Sequence, residues 1–129
     1  MAARPKKILI ADDSPTEQRL FQRALSTLGC EILTAEDGDE AERIIYEQRP
    51  DLLVLDIVMP GKNGFALCRE LKADPELAHM PIVIVTSKGQ DADRFWGARQ
   101  GADAYLVKPF RLEELTDAVK SRLFPEDDP

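Results

Sequence analysis

The sequence has little of what most metal, redox and membrane chemistry requires. Its 129 residues include one histidine and two cysteines. A lone histidine cannot build a histidine-based zinc centre, and His79, within the turn-like "PELAHMP", reads as a surface loop residue. Cys30 and Cys68 lie far apart, in neither a CxxC nor a metal-ligand spacing, and read as two buried thiols in a reducing cytoplasm. The uninterrupted apolar runs are too short to cross a bilayer. The opening "MAARPKK" is basic but has no apolar stretch behind it, which argues against a secretory leader. Basic residues are also in deficit: 17 Lys and Arg against 24 Asp and Glu give a net charge of −7. With no basic run either, the charge argues against nonspecific binding to DNA or to an anionic membrane.

What is present is a regular alternation. The length suits one domain with a real core, and 43% hydrophobic against 32% charged residues is ordinary for a globular protein. Five short apolar runs, at 7–11, 30–35, 51–55, 81–87 and 104–107, read as strands. Three of them do not alternate with polar residues, which suits strands buried on both faces of a parallel sheet. Between the runs lie amphipathic stretches. Phe21, Ala24, Leu25 and Leu28 share one helical face in 15–28; Leu112, Leu115, Ala118, Val119 and Leu123 share one in 111–123. Less regular helices are predicted near 38–48, 63–73 and 91–100. The pattern predicts a single α/β domain over 1–129, a doubly wound (βα)₅ parallel sheet with its core at about 6–123 and a short acidic tail at 124–129.

In such sheets functional groups gather beyond the carboxyl ends of the strands. The first strand is followed by "DDSPTEQ", where Ser14, Pro15 and Glu17 form a capping box for the next helix. Capping is thus served without Asp12 and Asp13. Asp56 follows the third strand, Thr86 and Ser87 close the fourth, and Lys108 follows the fifth. The second ends in "TAED", which offers nothing to single out.

Asp12, Asp13 and Asp56 against Lys108 leave about −2 in one small space if these ends converge. Like charges about 4 Å apart repel by roughly 4 kcal/mol at an effective dielectric of 20. The cluster must raise its pKa values, stay wet or take a cation. All-oxygen ligands favour Mg²⁺ or Mn²⁺ over Zn²⁺. A hard cation, an ammonium and a carboxylate nucleophile together suggest phosphoryl transfer, with Asp56 as the best-placed nucleophile.

The ordered set of "DD", "LDIVMPGKNG" around the third strand, "TS" and "YLVKPF" resembles the CheY-like receiver domain of bacterial two-component response regulators, over about residues 6–123. The resemblance implies a flavodoxin-like sheet in order 2-1-3-4-5. It implies that Asp56 accepts a phosphoryl group from a phosphohistidine on a sensor histidine kinase or phosphotransfer protein. Mg²⁺ would be held by Asp13, Asp56 and the backbone carbonyl of Val58, with Asp12 helping through water. Lys108 would pair with phosphoryl oxygens, and Ser87 would leave room beside them. Thr86 and Tyr105 would form the switch, and the peptide before Pro109 is often cis in the family. Such a protein assists its own phosphorylation and dephosphorylation without being an enzyme in the ordinary sense.

Only "FPEDDP" follows Leu123, so the expected output is a protein–protein contact through the face of helix four, strand five and helix five, by a monomer or weak homodimer. Phe95, Ala98 and Ala102 are assigned to the inner face of helix four, with Trp96 at the flank. The segment "RFWGARQGADAYLVKPF" is also similar to stand-alone regulators of twitching and chemotaxis-like pathways. Gly61 and Gly64 let the loop after Asp56 turn, and Met59 reads as an apolar plug. Two other readings stand beside this one. An aspartyl-nucleophile phosphatase needs a second acid two residues after the nucleophile, where this chain has Val58. A phosphorylation-independent pseudo-receiver typically lacks part of the acid set, which is complete here.

Overall fold

The computed structural model describes residues 4–125. The strands are β1 (Lys7–Ala11), β2 (Glu31–Ala35), β3 (Leu52–Leu55), β4 (Ile82–Thr86) and β5 (Ala104–Val107). They alternate with α1 (Pro15–Ser26), α2 (Gly38–Gln48), α3 (Gly64–Ala73), α4 (Asp91–Arg99) and α5 (Leu112–Leu123). All pairings are parallel and the order is β2-β1-β3-β4-β5. This is the predicted flavodoxin-like arrangement. Of the acidic tail, residues 126–129 lie outside the described residues.

The period-2 geometry of a strand sorts the apolar runs into two cores. Leu9, Leu53, Leu55, Ile82 and Ile84 face α2 and α3, where Ala41, Ile45, Leu67 and Leu71 close the layer. Ile8, Ile10, Leu52, Val54, Val83 and Val85 face α1 and α5, against Phe21, Leu25, Leu115 and Val119. Every residue of β3 and β4 is buried. Burial of each such Val, Leu or Ile side chain contributes about 1.5–3 kcal/mol, so these central strands are the most rigid platform available.

Helix α4 departs from the sequence reading. Phe95 and Trp96 are 59% and 53% exposed, and Ala98 is exposed too. The buried residue of α4 is Gly97, whose Cα side lies so close to β5 that a Cβ there would sit 2.8 Å from the Tyr105 ring. The helix thus packs through its smallest residue and turns its large apolar ones outward. Ala102, beyond the helix, does pack on the core. Of the two cysteines, Cys68 is buried and Cys30 only half-buried; His79 is exposed, as predicted. Among the described residues no helix is long and apolar enough to cross a membrane.

Candidate functional site

Strand order reverses between β1 and β3, because β1 leads to β2 on one side and β3 lies on the other. The two carboxyl ends therefore open on a crevice, and the residues that follow them face it. Each stays anchored by one more ladder bond. The Asp12 N–H donates to the Ala35 carbonyl (3.0 Å), the Asp56 N–H to the Ala11 carbonyl (2.9 Å), and the Lys108 N–H to the Thr86 carbonyl (2.8 Å).

The two inner aspartates are held alike. Asp12 Oδ1 accepts from the Ser14 N–H and Asp56 Oδ1 from the Val58 N–H, both at 2.9 Å. Each makes an Asx-type turn on its own chain. Their Oδ2 atoms accept from Lys108 Nζ at 3.0 and 2.9 Å. Asp12 is fully buried and Asp56 is 5% exposed, whereas Asp13 is exposed. One carboxylate oxygen from each of the three lies within 4.8 Å of the others. A set of hard oxygens with no histidine or thiolate fits Mg²⁺ or Mn²⁺.

Asp13, Asp56, Ser87 and Lys108 line a cavity of about 640 Å³ together with the apolar Leu20, Phe21, Phe110 and Leu112. The loop that leads away from Asp56 depends on two glycines. Gly61 has φ +81°, a left-handed value, and a Cβ on Gly64 would sit 2.8 Å from the Ile57 Cα. Met59, half-buried, packs on the core as a plug. The Lys108–Pro109 peptide is cis.

Two buried aspartates and an exposed third, facing one lysine across a rim cavity, form an arrangement with known counterparts. Residues 8–120 match the model of the response regulator receiver domain. The chain belongs to that family. Protein PilH of Pseudomonas aeruginosa is 43% identical over 117 residues, which are 91% of this chain and 97% of that one. Several other curated relatives are transcriptional regulators, and the chain spans about half of their length, 45% to 53%. The phosphorylated cyanobacterial phytochrome response regulator RcpA is 31% identical, with a TM-score of 0.80 over 92% of this chain and 91% of that one. The Mn²⁺-bound form of response regulator Rcp1 is 28% identical, with a TM-score of 0.81 over 97% of both chains.

In this receiver domain the electrostatics follow from burial. Desolvation pushes the Asp12 carboxyl above its usual range, against the Ser14 hydrogen bond and the Lys108 charge. Burial alone would lower the Lys108 ammonium, but the Glu17, Asp56 and Asp12 carboxylates outweigh it and hold the group above its usual value. Lys108 is therefore charged throughout the neutral range.

Thr86 and Tyr105 do not meet in the cavity. Thr86 is fully buried, and its Oγ1 accepts from the Lys88 N–H at 3.4 Å. The Tyr105 hydroxyl donates to the Lys88 carbonyl at 2.6 Å, with the Arg94 guanidinium over its ring. Both thus engage the backbone of Lys88 in the loop before α4, Thr86 at its N–H and Tyr105 at its carbonyl. Ser87, next along the chain, is the residue that lines the cavity.

Glu17 is the site residue that sequence reasoning missed. The capping box forms only by half: the Glu17 N–H donates to Ser14 Oγ at 3.3 Å, but the Ser14 N–H is taken by Asp12. The freed Glu17 carboxylate accepts instead from Lys108 Nζ. The signal was available, since positions 17, 21 and 25 share a helical face and Phe21 and Leu25 are its buried members.

Proposed function

We propose that this protein is a phosphorylation-activated receiver in which Asp56 accepts a phosphoryl group from a phosphohistidine on a sensor histidine kinase or phosphotransfer protein. The observation that carries the reading is the Asp56 carboxylate itself. It is almost wholly buried on a rigid strand end, fixed by the Val58 N–H and Lys108, yet it opens on a cavity large enough for a phosphoryl donor. The Asp56 oxygen attacks phosphorus in line; the new O–P bond forms as the N–P bond breaks, and the leaving imidazole keeps the electron pair. Lys108 neutralises charge on the phosphoryl oxygens, and the small Ser87 leaves them room.

Asp13, Asp56 and the Val58 carbonyl would hold Mg²⁺ (or Mn²⁺), with Asp12 supporting it through water. When bound, the cation supplies the charge that four crowded oxygens of the acids and phosphoryl group need. The similarity to the phosphorylated RcpA and to the Mn²⁺-bound Rcp1 supports both parts of this reading. Thr86 and Tyr105 form the switch, and the Lys88 backbone that both engage is the element they move. Output then passes to a downstream protein through the α4/β5/α5 face, where Phe95 and Trp96 stand exposed beside Arg94 and Arg99.

Incubation with Mg²⁺ and acetyl phosphate should add one phosphoryl group, acid-stable and base-labile, that is lost in Asp56→Asn. Label that persists in the variant overturns the assignment.

A further inference from the structure

We propose that Glu17 is a positioning residue that holds the Lys108 ammonium in the resting form, competes for it with the arriving phosphoryl group, and so slows phosphorylation while strengthening cation binding. The inference rests on the reading of Asp56 as phosphoryl acceptor.

An ammonium has three N–H donors and no more. In Lys108 all three are used, by Asp12 Oδ2, Asp56 Oδ2 and Glu17 Oε2. A phosphoryl oxygen can bond to Lys108 only if one of these carboxylates lets go. Asp12 is fully buried, fixed by the Ser14 N–H on a strand end, and has nowhere to turn. Asp56 is the acceptor and must stay in place. Glu17 is different: its side chain is 35% exposed, it projects from the first turn of α1, and it can swing into water at little cost. Glu17 is therefore the partner that exchanges.

Charge adds a second effect. With Glu17 the site holds four carboxylates against one ammonium, so it is more negative than the three aspartates alone would make it. The extra charge attracts a divalent cation and repels a phosphoryl donor. The two consequences have opposite signs for function, which a merely structural glutamate would not produce.

Glu17→Gln keeps length and removes the charge. Calorimetric titration with MgCl₂ alone should show Kd rising roughly fivefold, the size expected for one unit charge about 8 Å from a divalent cation in a watery site. Labelling by acetyl phosphate at saturating Mg²⁺ should become roughly fivefold faster in the same variant. Glu17→Asp keeps the charge but is one methylene short of Lys108; it should label faster with Mg²⁺ affinity close to the original. Glu113→Gln, exposed on α5, controls for net charge. Glu17→Gln changing both quantities by less than twofold overturns the inference. So does a parallel fall of Mg²⁺ affinity and labelling, which would mark Glu17 as structural. Label on the unmutated protein that is lost in Asp56→Asn, with no effect of Glu17→Gln, overturns this inference alone. A protein that takes no label overturns the acceptor reading itself.

Discussion

A lysine is paired with acid at both ends of the sheet, and in both cases its Nζ makes three polar contacts. Beyond the amino ends of the strands, Lys72 Nζ donates to the Met80 carbonyl (2.8 Å) and the Ala78 carbonyl (3.2 Å) and forms an ion pair with Asp103 Oδ2 (3.1 Å). Asp103 Oδ2 also accepts from the Ile82 N–H at 2.8 Å. One cation meets one anion and two neutral carbonyls, so this cluster at the lower rim carries no excess charge. At the carboxyl ends Lys108 meets three carboxylates, a fourth stands beside them, and a cavity opens in front. The number of contacts does not tell the two apart. Unbalanced charge beside accessible space does, because only there can a cation and an anionic group improve on the resting arrangement.

The largest break between the two rims should come from removing each lysine in turn. Lys108→Ala leaves four carboxylates without a cation. It should retain Mg²⁺ binding, yet lose the conformational response to phosphorylation, read as the change in emission of Trp96, the single tryptophan. Lys72→Met should behave in the opposite way. Its response and labelling rate should match the parent, while losing a partly buried ion pair costs about 1–2 kcal/mol, or roughly 3–8 °C in Tm. An intact Trp96 response in Lys108→Ala, or slowed labelling in Lys72→Met, would erase the distinction.

The strands were legible in the sequence because fully buried parallel strands leave uninterrupted Ile, Val and Leu runs, and their ends then pointed to Asp12, Asp13, Asp56, Thr86, Ser87 and Lys108. Two features escaped for physical reasons. Glu17 matched a capping pattern, and a local hydrogen-bond rule cannot know that Asp12 will take the Ser14 N–H first. In α4 the inward residue is a glycine, which carries no hydrophobic signal, so the aromatic neighbours drew the assignment instead. That difference matters, because burying Phe95 would leave the α4 surface with less exposed apolar area than it has.

An intermediate effect should sharpen the upper rim from within. If Thr86 belongs to the switch rather than to the phosphoryl chemistry, Thr86→Ala should label at a rate within about threefold of the parent, a loss of less than ~1 kcal/mol. Its Trp96 emission change should fall by more than half, because the Lys88 backbone loses one of the two side chains that hold it. Labelling that fails while the Trp96 response survives would reverse the roles.

The smallest effect probes how closed the lower rim is. Cys68 feels both charges of the Lys72–Asp103 pair, and its Sγ donates to the Gln100 carbonyl at 3.3 Å. Burial pushes its thiol up to about 11 from about 9 in the unfolded chain. The sign follows: the folded thiol holds its proton more tightly, so this contribution to stability is complete below about pH 9 and is lost as pH climbs toward 11. At pH 8 Cys68 is held as the thiol and shielded by burial. Half-buried Cys30 should therefore react with a disulfide reagent at least about tenfold faster, counted as the first of two thiols released. Lys72→Met should narrow the gap by loosening the lower rim. Equal rates in the unmutated protein would mean that this rim opens as readily as the upper one, and that closure is not what separates them.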